Sequence, residues 1–244
     1  MRYLLFLCCL VALPLHVLTL HALTLREEFY KAESGDFIVF AHQKQLTFFH
    51  IMEKTENECT IEEITVQEKD IDKNNSWQAW LASDAPGHTA WRVCRVSMTS
   101  GEILRSFSLV GSNWIQDSLN PQYSFLPTLL KLHLTLVPIE ARKRIGPPPM
   151  PGEPDFRKLW QPKVYYEGSE QAVQCHVYRT EWPKDVSDLS GRVLYIYIPK
   201  PSSQALSFFP YWIEITGNIG KVKLRVVDSG RLLYNPALTL GIPE

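Results

Sequence analysis

The sequence predicts a mainly β protein of the α+β kind, a curved antiparallel meander sheet or half-barrel with a few short helices on one face. Three observations carry that expectation. Short runs rich in β-branched and aromatic residues recur between polar turns. Neither a βαβ alternation nor a fixed repeat is present, which argues against a doubly wound sheet or a solenoid. The stretch Gly146-Pro-Pro-Pro-Met-Pro-Gly-Glu-Pro154 separates two strand-rich halves with backbone that cannot join a sheet, because proline fixes φ and lacks an N–H. Three prolines in a row read as polyproline II. We expect one β-rich domain over 23–244 with a proline-rich surface connection at 146–154.

The amino terminus has one cation, Arg2, an almost wholly apolar run from Tyr3 to Leu13, and a weaker continuation to Leu20. That is the outline of a secretory signal peptide, 1–22, cleaved after Ala22. An uncleaved anchor over 3–25 is the alternative, since about 20 apolar residues span a bilayer, although Pro14, His16 and His21 dilute it. Export to the periplasm or cell envelope follows from either. Cys8 and Cys9 are apolar filler in that run. The chain has 25 basic and 26 acidic side chains, and loss of Arg2 leaves a net charge of −2. A dedicated nucleic-acid binder would show a basic excess. Cys59, Cys94 and Cys175 permit one disulfide in an oxidising compartment, with the pairing open, or three buried thiols.

Along the mature chain, 24–33 reads as a short helix. Strands follow at Asp36–His42, Leu46–Glu53 and Cys59–Gln67; Phe37, Ile38, Val39 and Phe40 are apolar on both faces, as in a strand covered on both sides. Ser76 offers an N-cap to a helix with Trp77, Trp80 and Leu81 on one side. Thr89–Met98 and Glu102–Val110 flank a glycine turn and read as a hairpin. Helices are expected over Ser124–Leu132 and Pro138–Ile145, the latter carrying Arg142-Lys-Arg144. Strands are expected again at Val164–Glu167, Gln171–Glu181, Val193–Ile198, Tyr211–Thr216 and Lys221–Asp228, the last two joined by Gly217-Asn-Ile-Gly220.

No catalytic, metal or phosphate-binding motif is present, and no cofactor is expected. His42 and His50 do not have a metal-ligand spacing. In Pro86-Gly-His-Thr-Ala-Trp91 a turn presents His88 and Thr89 where a helix hands over to a strand, a candidate functional loop; its simpler explanation is a histidine that caps local backbone. Asp185 and Asp188 bound a polar loop that lacks the oxygen rhythm of a calcium site. The aromatic surplus on strands marks Phe48, Trp91, Phe107, Tyr195 and Tyr197 as an apolar ligand face on the concave side of a curved sheet.

Pro86-Gly-His-Thr-Ala-Trp91, Gly146-Pro-Pro-Pro149 with Trp160-Gln-Pro162, Trp182-Pro-Lys-Asp185, and Tyr211-Trp-Ile-Glu-Ile215 with Leu224-Arg-Val-Val-Asp-Ser-Gly230 resemble uncharacterised exported proteins of chlamydiae and their relatives. In architecture alone, the plan is similar to periplasmic lipoprotein-carrier half-barrels, which implies an acyl-chain ligand. Three functions are therefore weighed. The first is an exported envelope binding or carrier protein for a lipid or a lipoprotein acyl chain. The second is an interaction protein that docks an envelope partner through Pro147–Pro149. The third is a hydrolase built on His88.

Overall fold

The computed structural model describes residues 23–72, 75–117, 125–201, 205–217 and 220–232. The leader 1–22 with its expected cleavage site, Ser124 and the turn residues Asn218 and Ile219 lie outside the described residues. Strands β1 (Leu23–Thr24), β2 (Asp36–His42), β3 (Gln45–Lys54), β4 (Glu58–Gln67), β5 (His88–Ser97), β6 (Ile103–Val110) and β7 (Asn113–Gln116) come from the first half of the chain. The second half supplies β8 (His133–Leu136), β9 (Val164–Tyr166), β10 (Ser169–Gln171), β11 (Cys175–Glu181), β12 (Val193–Pro199), β13 (Trp212–Gly217) and β14 (Gly220–Arg231). Helices α1 (Leu25–Phe29), α2 (Trp77–Ala82) and α3 (Phe125–Lys131) are short.

Twelve strands form one open antiparallel sheet in the order β1-β8-β11-β12-β13-β14-β2-β3-β4-β5-β6-β7. The fold class is the one the sequence predicts: mainly β, antiparallel, with few short helices. Each half is a meander, and the two meet where β14 pairs with β2. A separate hairpin, β9–β10, lies against β14.

Alternation along the strands produces two faces, and both are apolar. Ile38, Phe49, Ile51, Ile61, Cys94 and Val96 from one half join Leu194, Ile196, Ile213 and Val226 from the other in a single core, together with Leu25 and Phe29 of α1 and Leu129 and Leu130 of α3. The sheet curls around this core. Arg26 of α1, next to the edge strand β1, reaches the Thr99 carbonyl at the β5–β6 turn, and Tyr30 Oη donates to the Met98 carbonyl at 2.7 Å. Five residues are too few for an isolated helix, so α1 exists because Leu25 and Phe29 are fully buried there.

On the opposite, outer face, Phe37, Val39, Leu46, Phe48, Ile64 and Trp91 pack under α2. Further along, Cys175, Val177 and Tyr197 pack under Trp160. The helices thus cover both faces, as strands apolar on both sides require. At 138–145 only Ile139–Ala141 is helical, a single 3₁₀ turn. Arg142 Nε is drawn to the Val137 carbonyl and Arg144 forms an extended bridge with Leu159, and the prolines that follow discourage a longer helix. The strands β1, β7, β8 and β10, only two to four residues each, were not anticipated.

Strand β14 serves two partners. Its residues up to Arg225 pair with β13, and Arg225 to Arg231 pair with β2, with a bulge between Val226 and Asp228. The extra residue places Val227 and Asp228 together on the outer side, while Val226 stays in the inner core. Ser229 is buried: its Oγ donates to the Tyr165 carbonyl at 2.6 Å and lies 2.6 Å from Tyr211 Oη, and its carbonyl accepts from Glu167 N at 2.7 Å. At Gly230 a Cβ would stand 2.9 Å from Phe37 Cε1 and 3.0 Å from Glu167 Cγ. Gly230→Ala should therefore lower stability by about 1–3 kcal/mol, the usual cost of overpacking. Urea unfolding would measure it, and an unchanged midpoint would refute this packing.

All three described cysteines are free and buried, Cys59 and Cys94 in the inner core and Cys175 on the outer face. Burial pushes the Cys59 and Cys175 thiols up to about 12, and Cys94 well above its ordinary value. Thiolate is the reactive form. In the chain from Leu23 onward, a thiol reagent at pH 8 should find none of the three in the native protein and all three in guanidinium; a fast-reacting native thiol would contradict the packing.

Candidate functional site

The bulge of β14, the start of α2 and the β9–β10 hairpin frame a groove of about 1060 Å³ on the outer face. Its floor is apolar: Phe37, Leu46, Ile71, Trp77, Val227 and Leu232. Its rim carries the carboxylates of Glu68, Asp72, Glu167 and Asp228 and one guanidinium, Arg231. That volume is at the upper end for ligand clefts, which run to roughly 1,000 Å³. A shallower, mainly polar depression of about 500 Å³ adjoins it at Tyr166, Glu167, Ser169 and Gln171.

Each wall has a local cause. Helix α2 begins at Trp77 because Ser76 Oγ accepts from Ala79 N at 3.1 Å. The Trp77 ring lies on Phe48 (centroids 5.9 Å apart) and edge-on to Trp80 (5.7 Å), and its indole N–H donates to Asp228 Oδ2 at 3.0 Å. The other Asp228 oxygen accepts from Gly168 N and Ser229 N, each at 2.9 Å. One carboxylate thus ties α2, β14 and the hairpin turn together. In that turn both Glu167 (φ 49°) and Gly168 (φ 74°) are left-handed, as a two-residue primed turn demands. A glutamate there is strained; the Glu167 N to Ser229 carbonyl bond holds it. Arg231 is committed to neighbours, with Nη2 2.6 Å from Glu33 and Nε donating to Asp36 Oδ1 at 2.9 Å. Burial raises the Asp36 pKa, and hydrogen bonds from the Glu33 backbone and from Arg231 oppose the rise.

The side chains that the sequence marked as a ligand face stand on the outer face, in two places. Phe48, Trp91 and Phe107 are buried on β3, β5 and β6, with Phe48 forming part of the bed under Trp77. Tyr197 is buried and Tyr195 half-buried on β12, where Trp160 covers them; the Trp160 and Tyr197 rings are 5.1 Å apart. Four strand steps separate β12 from β3, roughly 19 Å at the usual spacing, so the two groups do not line one pocket. The concave face, where the ligand was expected, is occupied by α1, α3 and the rings of Phe208 and Phe209. His88 and Thr89 serve the turn: His88 Nδ1 donates to the Ala85 carbonyl at 2.9 Å, its ring meets Trp91 edge-on, and Thr89 Oγ1 donates to the Thr65 carbonyl.

A buried polar cluster escaped the sequence reading. Glu62, fully buried on β4, accepts from His50 Nδ1 at 3.0 Å and from Trp91 Nε1 at 2.9 Å. His50 is equally buried, and its Nε2 has no hydrogen-bond partner among the described residues. The signal was the pair Glu62-Glu63 in a strand covered on both faces, since alternation must place one of them, here Glu62, on the covered outer face beside Phe48 and Trp91. Among the described residues no group of three or more His, Cys, Asp or Glu side chains could hold a metal ion, and no helix is long and apolar enough to cross a membrane.

No curated protein matches the chain. Among solved structures it is similar to the hypothetical protein CT021 from Chlamydia trachomatis, with a TM-score of 0.62 and 20% identity over 86% of this chain and 93% of that one. At that identity the likeness establishes the fold. The family model described as CT021 protein matches residues 47–172, from β3 through β10 and over half of the chain, in agreement with the chlamydial resemblance of the sequence motifs. The chain belongs to the CT021 protein family.

Proposed function

We propose that this is an exported binding protein, which takes an extended, apolar ligand bearing positive charge into the groove between α2, β14 and the β9–β10 hairpin. The observation that carries this reading is an apolar floor under an acidic rim, built by a β-bulge and a strained turn. Both devices concentrate at functional sites. Glu68, Glu167 and Asp228 ring a floor of Trp77, Phe37 and Val227, and Arg231 is already engaged by Glu33 and Asp36. A fatty-acid carboxylate would meet like charge at that rim, whereas an amine or guanidinium on an apolar stem would meet opposite charge. The acyl-chain reading of the sequence is thereby narrowed to neutral or cationic ligands. Export rests on the leader pattern of Tyr3 to Leu13.

Dodecyltrimethylammonium and dodecanoate share a chain and differ in charge. Titrated against tryptophan fluorescence, the cation should bind saturably and at least tenfold more tightly than the anion. Glu68→Lys with Glu167→Lys should weaken the cation at least fivefold, since a contact charge pair in water is worth about 1 kcal/mol. Equal binding of both probes, or no saturable binding, would refute the assignment.

A further inference from the structure

Asp228 differs from the other carboxylates around the groove in how firmly it is held. Glu68 and Glu167 are exposed, whereas Asp228 is half-buried at the bulge, next to the floor residue Val227. Three N–H groups fix its carboxylate: Gly168 N and Ser229 N donate to Oδ1, each at 2.9 Å, and Trp77 Nε1 donates to Oδ2 at 3.0 Å. All three donors are neutral. Among the described residues no cation lies within ion-pair distance of Asp228, and Arg231 is engaged by Glu33 and Asp36. Burying a charge costs free energy unless it is both hydrogen-bonded and paired, so this carboxylate has the hydrogen bonds and lacks the counter-ion.

An ionised carboxylate offers about four acceptor sites on its two oxygens. Oδ1 accepts two hydrogen bonds and Oδ2 one, which leaves a site on Oδ2, in a residue that lines the groove together with Phe37, Trp77 and Tyr165. A cation that carries N–H groups can fill that site with a charge-assisted hydrogen bond, roughly twice as strong as a neutral one. A quaternary ammonium has the same charge but no hydrogen to donate, and its methyl groups hold the nitrogen away from the oxygen.

We infer that Asp228 anchors the ligand of the groove, and that the ligand's head group is a cation with N–H donors, a primary ammonium or a guanidinium, on an apolar stem. The inference rests on the groove being the cation site proposed above and names the chemistry of the head. The head meets Oδ2 and the stem lies over Phe37, Trp77 and Val227. A long-chain amine and a lysine or arginine of an extended peptide both present this chemistry.

Dodecylammonium and dodecyltrimethylammonium share a chain and a charge, so the ratio of their affinities reports the head-group hydrogen bond and cancels changes of floor or wall that affect both. Titrated at pH 7 against tryptophan fluorescence, in the chain from Leu23 onward, dodecylammonium should bind at least fivefold more tightly. Asp228→Asn should bring the ratio below twofold, because the amide must turn its oxygen to Gly168 N and Ser229 N, leaving a donor where Oδ2 was. That nitrogen would face the Trp77 indole N–H, so the substitution is repeated together with Trp77→Phe, with circular dichroism to confirm the fold. Trp77→Phe alone frees a second acceptor site on Oδ2 and should keep or widen the fivefold ratio. A capped peptide with one lysine among leucines, against its trimethyllysine counterpart, repeats the comparison: the same preference assigns a protein segment as ligand, and no binding of the peptide beside tight dodecylammonium assigns a long-chain amine. If Asp228 were only a latch between α2, β14 and the hairpin turn, both substitutions would weaken both probes alike and leave the ratio unchanged. That result, or equal affinities in the unaltered chain, would overturn the inference while the groove remained a cation site; if neither probe binds, the groove assignment falls as well.

Discussion

Strand β14 must satisfy β13 with its first half and β2 with its second, and most of the architecture follows from that double duty. Without the β14–β2 pairing each meander would end in an unpaired edge, a liability in any sheet. With it, strands from both ends of the chain share one inner core, and α1 and α3 fill the space where the sheet curls back on itself. The bulge within the β14–β2 ladder also turns Asp228 outward, where it accepts from Trp77 and Gly168 and sets the walls of the groove. Fold and candidate site thus depend on the same few residues, Val226 to Gly230.

Much of the fold was legible because the strand signals are strong. Asp36–His42 is a strand at those limits, Gln45–Lys54 runs one residue past expectation at each end, and Glu58–Gln67 starts one residue early. Apolar residues on both faces of the first two strands meant cover on both sides, and α2 supplies their outer cover. Elements of two to four residues, such as β1 and β8, exist only through pairing with distant strands and leave little local trace. At 142–144, arginine contacts with carbonyls outweigh helical periodicity.

The candidate site was less legible, for a physical reason. Its floor consists of apolar residues that read as core, and its rim of charges that read as solvated surface; only the pairing of β2 with β14 and the packing of the β9–β10 hairpin against β14 bring them together. Phe48 was singled out for its hydrophobicity and proves to be the bed on which Trp77 rests. Trp91 was chosen on the same ground, and its indole N–H instead helps satisfy the buried Glu62. The turn-capping reading of His88 describes what the imidazole does. The proline segment was legible as surface, but the Arg144–Asp155–Arg157 clamp that orders it required the contact geometry.

The dependence of both halves on the β14–β2 seam can be measured by native-state hydrogen exchange across increasing denaturant. The seam predicts that the slowest amides of β2 and β3 and those of β12 and β13 exchange through one shared opening, with the same free energy and the same denaturant slope. A separate opening of the β2–β7 meander at distinctly lower free energy, with β11–β14 still protected, would contradict the claim that this single pairing holds the molecule together.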